Sequence, residues 1–181
     1  KIMALSVEAV ECFGYKKLPF KFRQDNRGFV VNGEDKTISM CLSSIKGMPK
    51  DAANILYALK DKEYKSFLDF LKQENLPKNI IEPLITLDYF SEFGKTKYLK
   101  DIHELYQTRY DKDKFKKIIK KDKNIYIDAF VRKYAKETEK QYTIINEEGF
   151  MNELISKIPN EHLPLEQLLQ AQYEMTGVIQ N

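Results

Sequence analysis

Residues 42–59 read LSSIKGMPKDAANILYAL, and the Lys46-Gly47-Met48-Pro49 run at their centre restricts the possible folds more than any other part of the chain. Apolar Leu42 and Ile45 precede it, and Ala52, Ala53, Ile55, Leu56 and Leu59 follow at helical spacing, so the stretch predicts a short helix, a tight turn and a second helix. Gly47 is free to take the positive φ that closes such a turn, and Pro49 suits the first turn of the next helix, where a missing N–H costs nothing. The N–H groups of Gly47, Met48 and Lys50 are then expected to point out of a helix N-terminus, where partial positive charge gathers a phosphate oxygen, with Lys46 and Lys50 on either side. Donors aimed at phosphates fix a protein on a duplex without reading its bases. The pattern alone leaves open a plainer alternative, a glycine-terminated helix followed by another helix, as in any helical protein.

The rest of the chain supports a mainly α fold. With 181 residues, 43% hydrophobic and 12% aromatic, it is long enough to bury a core, and its 7 Gly and 6 Pro are too few for a turn-rich β-sandwich. Residues 2–13 have helical periodicity, and residues 29–31 and 37–40 flank an Asn32-Gly33 hairpin signal. Ser66 and Asp69 form a helix start, Pro77 opens another, and Pro83 either kinks that helix or marks a later beginning. Further helices are expected over residues 97–110, 113–121, 125–140, 147–158 and 165–176. The expected order is a small N-terminal β-hairpin element (1–40), a tandem helix-hairpin-helix-like region (41–107) and a basic helical region (108–181).

Charge and chemistry narrow the function. The net charge of +3 is weak support for nucleic-acid binding, so local clusters matter more. The densest cluster is Lys116, Lys117, Lys120 and Lys121 around Phe115, Ile118 and Ile119, read as a helix with a basic, solvated outer face. Tyr126, Phe130 and Tyr134 form a helical stripe read as core, and Asp111 with Asp113 reads as helix capping in preference to a metal-holding pair. His103 and His162 are solitary, and no phosphate-cradling glycine loop is present. Cys12 and Cys41 are expected as free thiols. No stretch approaches the roughly 20 apolar residues of a membrane span, so no membrane partner is expected. The start at Lys1 and the end in GVIQN read as a segment of a longer, cytoplasmic protein.

Three linked motifs carry a family resemblance: Ile45-Lys46-Gly47-Met48, Ser66-Phe67-Leu68-Asp69-Phe70 and Leu84-Ile85-Thr86-Leu87-Asp88-Tyr89-Phe90. Across residues 37–105 they resemble the region of the bacterial DNA polymerase III alpha subunit, a C-family replicative polymerase, that precedes its OB domain. Residues 163–177 resemble that family's helix just before the OB domain. Pro49 stands where the family has a second glycine, and Leu87-Asp88 where it has alanine-glycine. The resemblance implies two hairpins gripping primer-template duplex DNA without sequence specificity, the second near residues 75–79 with Lys78 and Asn79. It also implies a parent that uses Mg²⁺ for DNA synthesis, partnered by its remaining domains and, through parts outside this chain, a sliding clamp. The family's palm aspartates have no counterpart here, so no catalytic residue, metal or cofactor is expected in the chain itself. The alternatives are a helical protein–protein module and a helix-hairpin-helix accessory domain of a repair nuclease or ligase.

Overall fold

The computed structural model of the chain describes residue 10, residues 12–120 and residues 125–177, with the backbone alone for 125–128. Most of the helix expected over residues 2–13 lies outside the described residues. Strands β1 (Lys16–Lys17), β2 (Val30–Asn32) and β3 (Thr37–Ser39) form a sheet in the order β1-β3-β2, with β1 parallel and β2 antiparallel to β3. The expected hairpin is present, but its link is four residues long, 33–36, and not the two-residue Asn32-Gly33 turn. The Asn32 carboxamide oxygen accepts from the Glu34 and Asp35 N–H groups at 3.0 and 3.2 Å, and Lys36 takes φ 49°, so the side chain competes with the ladder and lengthens the turn.

After a 3-10 turn at Leu42–Ser44 come α1 (Ala52–Ala58), α2 (Phe67–Glu74), α3 (Lys78–Thr86) and α4 (Thr96–Arg109). Helix α2 starts where Ser66 Oγ accepts from Asp69 N–H at 3.2 Å while the Asp69 carboxylate accepts from Lys65 N–H at 2.9 Å, two orphan donors satisfied in a reciprocal cap. Pro83 lies inside α3, which runs through it from Lys78. The apolar faces of these helices meet over interlocking rings. Phe22, Phe67, Phe70 and Phe90 are buried, and the Phe70 ring lies 5.5 Å from Phe22 and 5.1 Å from Phe90. The Ser66–Phe70 and Leu84–Phe90 motifs are thus mainly core chemistry.

Between residues 110 and 144 the helical expectation fails. Residues 114–120 are not helical: β4 (Tyr110–Asp111) pairs with β5 (Lys114–Phe115) across a two-residue turn, 112–113, in which Lys112 has φ 57°, and β6 (Ile118–Ile119) joins another sheet. Helix α5 (Ile125–Arg132) ends well short of residue 140, and β7 (Ala135–Glu137) and β8 (Gln141–Ile144) follow, giving the antiparallel order β6-β8-β7. Phe115, Ile118 and Ile119 fit a helical spacing, but adjacent β-branched residues favour a strand once Tyr142 and Gln141 are in register beside them. The last two helices, α6 (Glu147–Ser156) and α7 (Leu165–Thr176), lie where expected.

The segment between α6 and α7 fastens the C-terminal part to the helices that carry the hairpins. Lys95, at the N-cap of α4, offers no capping side chain. Instead Asn160 Oδ1 accepts from Lys95 N–H at 3.0 Å, and the Glu161 carbonyl accepts from Lys97 and Tyr98 N–H at 3.1 and 3.3 Å. Thr96 Oγ1 accepts from Leu163 N–H at 2.9 Å and lies 3.3 Å from His162 Nδ1. Helix α4 therefore has its first-turn donors satisfied by a segment more than sixty residues downstream. Cys12 and Cys41 are free thiols, as expected. Among the described residues no helix is long and apolar enough to cross a membrane.

Candidate nucleic-acid interface

The first hairpin is built as the sequence anticipates in its turn and differently in its donors. Leu42, Ile45 and Met48 are buried, which anchors the apolar corners and leaves Lys46 and Gly47 exposed. Met48 N–H donates to the Ile45 carbonyl at 3.1 Å, closing a β-turn in which Gly47 has φ 80°, the positive value a type II turn needs at its third position. Met48 consequently cannot present its N–H to a phosphate, contrary to expectation: the turn uses the donor and the core holds the side chain. The second helix also begins later than expected. Ala52 N–H donates to the Pro49 carbonyl at 3.1 Å, and α1 starts at Ala52, where buried methyl groups allow close packing. Among the described residues no group accepts from the N–H of Gly47 or Lys50, and a Cβ built on Gly47 would meet nothing within 4 Å. The turn is open above, and only its φ excludes a side chain.

One donor of the turn is occupied from afar. Lys46 N–H donates to the Met175 carbonyl at 2.9 Å, which sets the electron-rich C-terminal turn of α7 against the hairpin.

The second hairpin joins α2 to α3. Asn75 closes α2 in the left-handed conformation, φ 43° and ψ 45°, and its N–H donates to the Leu71 carbonyl at 3.0 Å. The Pro77 carbonyl accepts from Ile80 and Ile81 N–H at 2.9 and 3.2 Å, so α3 starts immediately after the proline. Lys78 and Asn79 stand exposed in its first turn. Lys78 Nζ is 3.1 Å from Glu82 Oε1, one turn along the same helix.

The two hairpins share a cleft of about 550 Å³. Lys46 and Gly47 line it from the first hairpin and Asn79 from the second; Glu82, Pro83, Ile85 and Thr86 of α3, Lys100 of α4 and Met175 of α7 complete its walls. Of the residues singled out in the sequence, the fold therefore brings Lys46, Gly47 and Asn79 together. It places Lys50 and Lys78 outside the cleft and Met48 beneath the turn. Lys100 was not legible in the sequence, because α4 reaches the cleft only through its packing on α2 and α3. Arg23 was missed as well. It donates to the Lys60 and Lys62 carbonyls at 2.6 and 2.8 Å and pairs with Glu92 at 2.8 Å, tying the end of α1 to the segment after α3.

The other constellations have structural roles. Lys116 and Lys120 are on extended segments and not on a helical face: Lys116 Nζ donates to the Gln107 carbonyl at 2.8 Å, and Lys120 pairs with Glu137 at 2.5 Å. Lys117 is exposed, and Lys121 lies outside the described residues. Asp111 is in β4 and Asp113 in the turn after it, so neither caps a helix as expected. Phe130 and Tyr134 pack on Phe150 at 5.1 and 5.9 Å, while the Tyr126 side chain lies outside the described residues. His103 is buried beside Gln107, and burial lowers its pKa. Among the described residues no cluster of three or more His, Cys, Asp or Glu is placed to hold a metal ion.

Residues 18–99 match the family model of the helix-hairpin-helix motif, a span that contains both hairpins. No curated protein matches the chain.

Proposed function

We propose that this chain binds double-stranded DNA without sequence specificity, gripping the phosphate backbone with its first hairpin turn and the cleft that joins it to the second. The observation that carries this reading is the open turn at Lys46-Gly47 within a region matching the helix-hairpin-helix motif. An exposed lysine and an unaccepted N–H at Gly47 suit a phosphate contact. Lys50 adds a second exposed cation beside it.

The finer reading is a segment of a cytoplasmic replicative DNA polymerase of the polymerase III alpha type, supported by the Ile45–Met48, Ser66–Phe70 and Leu84–Phe90 motifs. On that reading the Mg²⁺-dependent nucleotidyl transfer, the remaining polymerase domains and the sliding-clamp contact belong to other parts of the parent, and this chain holds the primer-template duplex.

The test is fluorescence anisotropy of the full chain with two duplexes of unrelated sequence, titrated at several salt concentrations. Equal affinities that fall together as salt rises are expected. Preference for one sequence would contradict the reading, and absence of binding at low salt would favour the protein–protein module. Tighter binding to nicked or branched DNA than to plain primer-template would favour the repair-domain reading.

A further inference from the structure

The duplex-binding reading leaves the second side of the cleft without an assigned cation, because the exposed lysine of the second hairpin is engaged elsewhere. We propose that Lys100 of α4 is the phosphate contact on that side, and that Lys78 serves instead to neutralise Glu82. This inference rests on the reading above and adds a residue that no motif in the chain marks.

Glu82 is a wall of the cleft, and a bare carboxylate there would repel a phosphodiester. Lys78 holds it at 3.1 Å from outside the cleft, so the pair is close to neutral towards anything that enters. Lys100 is exposed, lines the same cleft as Lys46 and Gly47, and has no carboxylate within 4.0 Å of its ammonium among the described residues. The neighbouring Asp101 is taken by Lys97 at 3.0 Å. The backbone beneath Lys100 is fixed, since Leu99 is fully buried and the first turn of α4 is capped by Asn160 and Glu161. Two lysines without a carboxylate partner among the described residues, 46 and 100, therefore line the cleft from separate elements.

The experiment is salt-dependent binding of the full chain to a mixed-sequence duplex between roughly 50 and 200 mM KCl. One phosphate contact contributes about 0.9 to the slope of log K against log salt, which is about a 3.5-fold change over that fourfold range. Lys100→Ala is expected to lose that increment, as is Lys46→Ala, whereas Lys100→Arg keeps it. Lys78→Ala is expected to bind more weakly, most at low salt where the uncovered Glu82 is least screened, with Glu82→Gln in the same chain restoring wild-type affinity and slope. A wild-type slope for Lys100→Ala alongside a reduced one for Lys46→Ala would overturn the assignment while leaving duplex binding intact. A loss in Lys78→Ala that Glu82→Gln fails to restore would overturn it equally. A wild-type chain whose binding ignores salt would instead remove the reading on which the assignment rests.

Discussion

The lysines of residues 114–140 and the lysines of the hairpins differ in what folding does with their charge. The first group is far denser in the sequence, and part of its charge is taken up: Lys120 and Arg132 converge on Glu137 at 2.5 and 2.8 Å and Lys133 reaches Glu153 at 3.5 Å, while Lys116 Nζ is held by the Gln107 carbonyl and Lys114, Lys117, Lys136 and Lys140 keep no carboxylate within 4.0 Å among the described residues. The second group is sparse, and Lys46, Lys50 and Lys100 have no carboxylate within 4.0 Å among the described residues. Charge density along a chain therefore does not measure the charge left for a partner. What sets the hairpin lysines apart is where the fold puts them, beside an open turn whose Gly47 N–H no group among the described residues accepts and at the cleft next to it.

The strongest way to break this contrast is to damage the sparse site without touching a charge. Gly47→Val places a β-branched residue at φ 80°, which costs about 1–2 kcal/mol of strain and sets a side chain between the turn and any phosphate. Duplex binding is expected to fall by about tenfold or more, the loss set by one or two charge-assisted contacts of roughly 1.5–3 kcal/mol each, with the circular dichroism of the helices retained. Unchanged affinity would show that the turn is not the grip. A smaller effect is expected from Asn160→Ala, which removes the cap from Lys95 N–H and loosens the join between the two regions: urea unfolding should report about 1 kcal/mol lost.

Acid should separate the regions by window. Burial lowers the His103 pKa below its ordinary 6.5, so the unfolded chain takes up that proton first. Stability is then complete above about 6.5 and erodes as pH falls below it, a dependence that His103→Gln should abolish. Hydrogen bonds from Arg132 and Lys120 hold Glu137 down to about 2, so its contribution is present above 4.5 and is lost only as pH falls from there towards about 2. Unfolding midpoints measured across this range that show no loss between 6.5 and 4.5 would contradict the assignment for His103. The smallest effect is reserved for Lys120→Ala. Its charge is already met by Glu137, so duplex affinity should stay within about twofold of wild type, the effect of a distant screened charge.

What was legible in the sequence depended on local chemistry. Gly47, Ala52 and Ala53 specify a turn and a close helix contact with neighbours a few residues away, and Ser66 with Asp69 specifies a cap in the same way. The helix expected over residues 113–121 is absent from the described part of that stretch: Phe115, Ile118 and Ile119 satisfy a helical period, but Ile118 and Ile119 pair with Tyr142 and Gln141, more than twenty residues downstream and outside any local window, and Phe115 pairs back on Tyr110 through a tight turn that carries no Gly or Pro signal. The site was legible to the same extent. Lys46 and Gly47 could be named from their turn, but the donor used within that turn at Met48, the Met175 carbonyl on Lys46 and the approach of Lys100 all follow from contacts the local pattern does not encode.

The central claim, that unpaired lysines at the hairpin and not the dense basic run hold the duplex, is tested most directly by comparing two double variants over a salt series. The chain with Lys46→Ala and Lys50→Ala is expected to lose about 1.8 from the slope of log K against log salt, two phosphate contacts, while the chain with Lys116→Ala and Lys120→Ala keeps the wild-type slope. The reverse result, a preserved slope in the hairpin variant and a reduced one in the other, would contradict it.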